Sequence, residues 1–248
     1  MMSDASDRPP DRSYFDQEYF EGSVSRYGGY ARHVSQRRIE LWLRFMQKHL
    51  PGKLRNSRIL EIGCAYGYYL KALHQLRNEV YGLDISAYAI GRAQEEVLPE
   101  RADALLCQSA EDPYPFPDDF FDLIFSLDTI EHLARPEAML GECQRTLKAG
   151  GVLVVVTPNR RSDVWVRFLF GPDRDLSHVN IRSAEEWLPA FAQHFDLVHM
   201  EYKNFESVTA PRWYLRCLAG LAFLFLRPLR MTHHLVIFAS KGSDSRHL

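Results

Sequence analysis

The feature that most constrains this chain is an alternation. Short β-branched runs recur along it, separated by segments of helical length. Strand signals fall at Arg58–Ile62, 80–84, Leu105–Cys107, 121–126, 152–157, 195–202 and 235–240. Between them, helix signals cover 66–77, 87–96, 136–147 and 185–193. Ser86 and Ser183 stand where N-caps belong. Strands that alternate with helices build a parallel sheet covered on both faces. The expected fold class is therefore α/β, a doubly wound, seven-stranded, mostly parallel sheet. A long insertion, 204–232, separates the last two strands, and a chain returning from it can pair antiparallel at the sheet edge. Upstream, Ile39, Leu41, Trp42, Phe45 and Met46 share a helical stripe that ends at Leu50-Pro51-Gly52. Residues 1–50 thus read as a disordered N-terminus followed by a helical cap, and 51–248 as the sheet domain.

Bulk properties narrow the class. The chain has 248 residues, enough for one domain with a full core. A net charge of −2 argues against a general nucleic-acid binder, which carries a basic surplus. The four cysteines, Cys64, Cys107, Cys143 and Cys217, are widely spaced without a CxxC, as expected of reduced thiols. The polar start, MMSDASDRPPDR, has no apolar h-region, so the expected location is the cytoplasm. The most apolar stretch, CLAGLAFLFL, is half the roughly 20 residues needed to cross a bilayer. The helix expected over 213–226 reads as packing, as a wall of the acceptor pocket, or as an interfacial helix. A membrane role is the disfavoured reading.

Four segments should converge beyond the carboxyl ends of the strands, where such sheets bind ligands. The first, Glu61-Ile62-Gly63-Cys64-Ala65-Tyr66-Gly67, ends a strand on an acid and turns through small residues into a helix. That is the build of a nucleotide-type cofactor site, in which small residues admit the ligand to the backbone. Its Gly-x-Ala-x-Gly spacing is not the GxGxxG of dinucleotide sites, and the preceding acid suits a cofactor with a positive centre. Asp84 ends the second strand about twenty residues on, where a carboxylate holds ribose hydroxyls. After the third strand, Ser109-Ala110-Glu111-Asp112 and PYPFPDD can cover an adenine ring. The fourth segment, Leu127-Asp128-Thr129-Ile130-Glu131-His132, opens onto the active-site face.

Taken together, ILEIGCAYG, VYGLDIS, QSAEDPYPFPDDFFDLIFSLDTIEHL and RTLKAGGVLVVVTPN resemble the class I S-adenosylmethionine-dependent methyltransferases, in the family's order and spacing. The resemblance covers 58 to about 203. It is nearest to the small-molecule branch that includes ubiquinone-biosynthesis O-methyltransferases, and it implies a Rossmann-like methyltransferase fold. One departure is Ala65, where many members carry glycine. Carried over residue by residue, the resemblance implies that Glu61 anchors the methionine amino end of S-adenosyl-L-methionine. Gly63, Cys64, Ala65 and Gly67 form the loop, and Asp84 holds the ribose with Ile85 against the adenine. Ser109, Ala110 and Glu111 lie at the adenine edge, and Leu127 near the methionine part.

The expected chemistry is methyl transfer to a small-molecule acceptor, at oxygen. A base is needed only where the nucleophile arrives protonated, and Asp128, His132 and His178 are the candidates. Asp128, Glu131 and His132 share a face if a helical turn forms there. The resemblance implies that a divalent ion can be bound at such an acid-x-x-Glu-His string, but Asp128 is one methylene shorter than the family's first acid, and a metal is the disfavoured reading. Tyr14, Tyr19, Tyr27, Tyr30 and Arg32 of the cap are candidates to close the site. Competing readings are a protein or RNA methyltransferase, a non-catalytic cofactor-binding partner subunit, and an NAD-binding dehydrogenase.

Overall fold

The computed structural model describes residues 12–22, 29–162, 177–203 and 234–242. The segment 213–226, the whole 204–232 insertion, Tyr27 and Cys217 lie outside the described residues.

Seven strands form one sheet in the order β3-β2-β1-β4-β5-β7-β6. They are β1 (Arg58–Ile62), β2 (Glu79–Asp84), β3 (Leu105–Cys107), β4 (Phe121–Leu127), β5 (Leu147–Pro158), β6 (Leu197–Lys203) and β7 (His234–Ser240). The strand order reverses between β1 and β4, which pair in parallel. β7 runs antiparallel to both β5 and β6. The one reversed strand is therefore inside the sheet, and β6 forms the edge, contrary to the expected edge position. The reason is composition: every residue of β7 from His234 to Ala239 is buried, and Leu235 to Ala239 are apolar. An edge strand would leave one side of that run unpaired.

Helices cover both faces. They are α1 (Gln17–Glu21), α2 (Tyr30–His33), α3 (Gln36–His49), α4 (Tyr68–Gln75), α5 (Ala87–Arg92), α6 (Pro136–Thr146) and α7 (Ala184–Ala192). The period of two in the strands divides the core. Ile59, Leu123, Phe125, Val154, Val156 and Val236 pack against α3, α4 and α5. Leu60, Ile62, Ile124, Leu153, Val155 and Ile237 pack against α6 and α7. The stripe read on α3 buries Ile39, Trp42 and Met46 into the first of these cores, so α3 is a layer of the sheet domain as well as part of the cap.

Several boundaries moved for local reasons. The helix after β1 starts at Tyr68, because Gly67 is left-handed (φ 74°) and Tyr66 belongs to the turn. Ser86 caps α5 through the Ala89 N–H, but the helix widens into a π turn at Ala93–Val97. β6 begins after Phe195, whose N–H still donates to Phe191 O at 3.0 Å. α7 carries the full capping box, Ser183 with Glu186.

Candidate active site

The loop after β1 is pinned to the end of β2. Gly63 and Cys64 both donate their N–H to Leu83 O, at 2.8 and 3.0 Å. Asp84 fastens the next turn: its Oδ2 accepts from Ala65 N–H and its Oδ1 from Ser86 N–H, both at 2.8 Å. Gly63, Ala65 and Gly67 are left-handed at φ 73°, 45° and 74°. That conformation explains the small residues in physical terms. At Gly63 the space that a Cβ would take is filled by the Thr129 side chain. The sequence suggested that this space belongs to a ligand; it belongs to the protein. The Cys64 thiol points the other way, packed in the core, where burial pushes its pKa well up.

A cavity of about 250 Å³ lies beyond the carboxyl ends of the strands, under α1, α2 and α3. Of the residues singled out from the sequence, Gly63, Ala65, Asp84, Ile85, Ser109, Ala110, Glu111, Leu127, Asp128 and His132 line it. Glu61, Cys64, Gly67 and His178 stand outside its wall. Tyr19 and Tyr30 line it too, together with Phe15 and Phe20. Ring contacts link Phe15 to Tyr19, Phe20 to Tyr66 and Tyr30 to Tyr66, which joins the cap to the glycine loop.

The acids differ in their surroundings. Glu61 is 2% exposed, and its Oε2 has no hydrogen-bond partner. Burial, then the neighbouring Asp84, pushes its pKa well above the usual carboxylate range. Asp84 is also pushed up by burial, against the opposing effect of its two N–H donors. Glu111 accepts from Arg135 N–H, so the side chain expected at an adenine edge also braces the start of α6. Glu131 is fully buried; Thr157 Oγ1 donates to its Oε2 at 3.0 Å. Burial, then Asp128, pushes its pKa up to about 8.

The 128–132 string does not form one helical face. Asp128 is left-handed (φ 49°), and a single 3-10 turn follows at Ile130–His132. The turn brings Glu131 and His132 towards His178 instead, with ligand atoms of all three within 4.8 Å of one another. The His132 and His178 rings are 4.8 Å apart. His132 Nδ1 lies 2.7 Å from Ser177 Oγ and 3.2 Å from Ser177 O. Donation from Nδ1 to that carbonyl would leave Nε2 as the basic nitrogen.

Sequence reasoning missed Arg38, Trp42, Gln108 and His234 as site residues, and took Thr129 only as part of the 127–132 segment; all five are on the cavity wall. Arg38 and His234 flank Asp128 from α3 and β7, at 3.9 and 3.8 Å. No local signal marks either one. Arg38 is one basic residue in an amphipathic helix, and His234 starts a strand that pairs with residues far away in sequence.

The reversed strand order, the pinned small-residue loop and the acid ending β2 together define a cofactor-binding methyltransferase architecture. A family described as "Methyltransferase domain" matches residues 60–155. The chain is 31% identical over 139 residues to a ubiquinone biosynthesis O-methyltransferase of Bradyrhizobium sp., covering 55% of this chain and 50% of that protein. It is 32% identical over 117 residues to a probable S-adenosylmethionine-dependent methyltransferase of Mycolicibacterium smegmatis, covering 47% and 41%. The chain thus spans about half the length of the curated relatives it matches. Among solved structures, a SAM-dependent methyltransferase from Archaeoglobus fulgidus superposes with a TM-score of 0.60 at 20% identity, covering 90% of this chain and 97% of that one. Phosphoethanolamine N-methyltransferase 2 of Haemonchus contortus, in complex with S-adenosyl-L-methionine, gives 0.64 at 17% identity, covering 94% and 60%. These likenesses show the fold. Residues 60–155 thus match a methyltransferase domain, set in the fold of S-adenosylmethionine-dependent methyltransferases.

The residues present fit that cofactor. Asp84 reaches the cavity with lone pairs beyond those its two N–H donors use, and Glu61, although outside the wall, offers a buried, unpartnered oxygen suited to a cationic group. Among the described residues, no helix is long and apolar enough to cross a membrane.

Proposed function

We propose that the chain transfers the methyl group of S-adenosyl-L-methionine to a small-molecule acceptor, at oxygen, in the cytoplasm. The observation that carries this reading is one cavity whose wall combines two kinds of lining. Ala65, Asp84, Ile85 and Ala110 suit an adenosine. Asp128, His132 and His234, with the apolar Trp42, Leu41 and Val34, suit an apolar acceptor with one ionisable group. The names of the curated relatives support oxygen as the methylated atom.

The cofactor supplies an electrophilic methyl group. The chain's own residues then bind, align and exclude water. Glu61 holds the positive amino end, Asp84 the ribose, and the Ser109–Glu111 turn the adenine edge. Leu127 packs beside the methionine part. The aromatic cap, Phe15, Tyr19, Phe20 and Tyr30, keeps water from the reacting atoms. In this reading the helices before residue 50 form the cap, and 51–248 belong to the catalytic domain. Of the proton acceptors read from the sequence, Asp128 and His132 stand on the cavity wall, and His178 stands beside His132 outside it. Nucleic acid is not an expected partner.

The test is binding followed by turnover. Calorimetry should show one S-adenosyl-L-methionine site and no NADH binding. S-adenosylhomocysteine should form with small hydroxylated acceptors and not with protein or RNA. Cofactor binding with no turnover across such a panel would favour a non-catalytic subunit.

A further inference from the structure

We propose that Asp128 and His234 form the proton-accepting pair of the transfer, and that Arg38 is a positioning residue that keeps Asp128 ionised and aimed. The inference rests on the oxygen-acceptor reading above.

Three elements distant in sequence bring these side chains together. Asp128 follows β4 in a left-handed conformation (φ 49°), and its N–H donates to Val156 O at 2.9 Å. A non-glycine residue held there is a mark of functional sites, and aspartate tolerates the conformation better than most. Arg38 Nη2 of α3 lies 3.9 Å from Oδ2. His234 Nε2, at the start of β7, lies 3.8 Å from Oδ1. The Arg38 side chain also hydrogen-bonds with Tyr69 of α4, whose hydroxyl burial pushes up to about 12. All four residues line the cavity. The 3.8 Å separation exceeds a hydrogen bond, and such contacts tighten once ligands are bound.

The charges assign the roles. A guanidinium beside Asp128 favours its ionised form, so the carboxylate acts as counter-ion to an imidazole. In the step, the acceptor oxygen bonds to the methyl carbon as the carbon–sulfur bond breaks and its electron pair moves to sulfur. The acceptor O–H bond breaks, and the proton passes to His234. Asp128 balances the imidazolium until the proton leaves to solvent with product release. Burial disfavours the charged form of Glu131, so it does not compete for that charge. Among the described residues, His234 faces Asp128, with Arg38 and Glu131 beyond it, and Lys203 across the β6–β7 pairing.

The test uses the full chain. The His234 ring is titrated by NMR in the wild type, Asp128→Asn and Arg38→Gln. Asp128→Asn should lower the His234 midpoint by about 1 pH unit or more, because the partner anion is lost. An unchanged midpoint overturns the proposal, whatever the acceptor. Kinetics use 3,4-dihydroxybenzoate as the probe acceptor. His234→Gln should lower kcat by about 100-fold or more and erase the acidic limb of the pH profile, with cofactor Kd within about twofold of wild type. Arg38→Gln should lower kcat with cofactor Kd again unchanged, and Arg38→Lys should recover part of it. A retained acidic limb in a cofactor-binding His234→Gln chain overturns the proposal. A wild type that binds cofactor and shows the NMR shift but methylates no member of the hydroxylated panel overturns the oxygen reading, and with it the catalytic role of the pair.

Discussion

At the residue scale, the decisive positions are buried acids and a crowded glycine. Burial, then the neighbouring Asp84, raises the Glu61 pKa well above the usual carboxylate range, and an ammonium beside it would favour the carboxylate. Cofactor binding should therefore release a proton, and affinity should rise with pH until the empty-site carboxyl ionises. Calorimetry in two buffers of different ionisation enthalpy measures this, and no buffer dependence would remove Glu61 from the amino end. Asp84→Ala should weaken cofactor binding by about 1.5–3 kcal/mol, the worth of hydrogen bonds to a charged group. Because Asp84 also fastens Ala65 and Ser86, the same variant should melt at a lower temperature. Gly63→Val should fail in folding, not merely in binding, because its side chain meets Thr129 and not a vacant ligand space. A variant with wild-type melting would show that Thr129 moves aside.

At the element scale, the 3-10 turn after β4 buries Glu131 against β5. Its pKa rises from the ordinary 4.5 to about 8, so the unfolded chain binds fewer protons than the folded one between those values. Stability should fall as pH rises from about 4.5 to about 8. Glu131→Gln should flatten that slope, and an unchanged slope would mean that another group carries it. The turn also shows why the 128–132 spacing misled. Spacing predicts a shared face only when the backbone is helical throughout, and the left-handed Asp128 breaks the register. α7 is the contrary case. Its capping box could be read from Ser183 and Glu186 because both bonds are local.

At the scale of the whole molecule, the site joins pieces from both ends of the described chain. Cap aromatics, the β1 loop, the β4 turn and the first residue of β7 meet around one cavity. A ligand bound there stabilises all of them together. S-adenosyl-L-methionine at about 100 times its Kd should add about 2.7 kcal/mol to stability, seen as a higher melting temperature. The gain should shrink in Phe20→Ala, since Phe20 stacks on Tyr66 and so couples the cap to the loop. An equal shift in that variant would mean that the cap does not close on the cofactor.

The sequence by itself determined the alternation of elements, the seven strands, the small-residue loop and the acid at the end of β2. Each of these is written in local chemistry: β-branched runs, left-handed positions that accept only small residues, and capping side chains. Only the tertiary structure decided that β7 lies inside the sheet, that Thr129 fills the space at Gly63, that His178 and not Asp128 joins Glu131 and His132, and that Arg38 and His234 flank Asp128. Those facts depend on contacts between segments up to about 100 residues apart, which local propensity does not encode. Pairing, burial and charge proximity arise only when the packed layers bring such segments together.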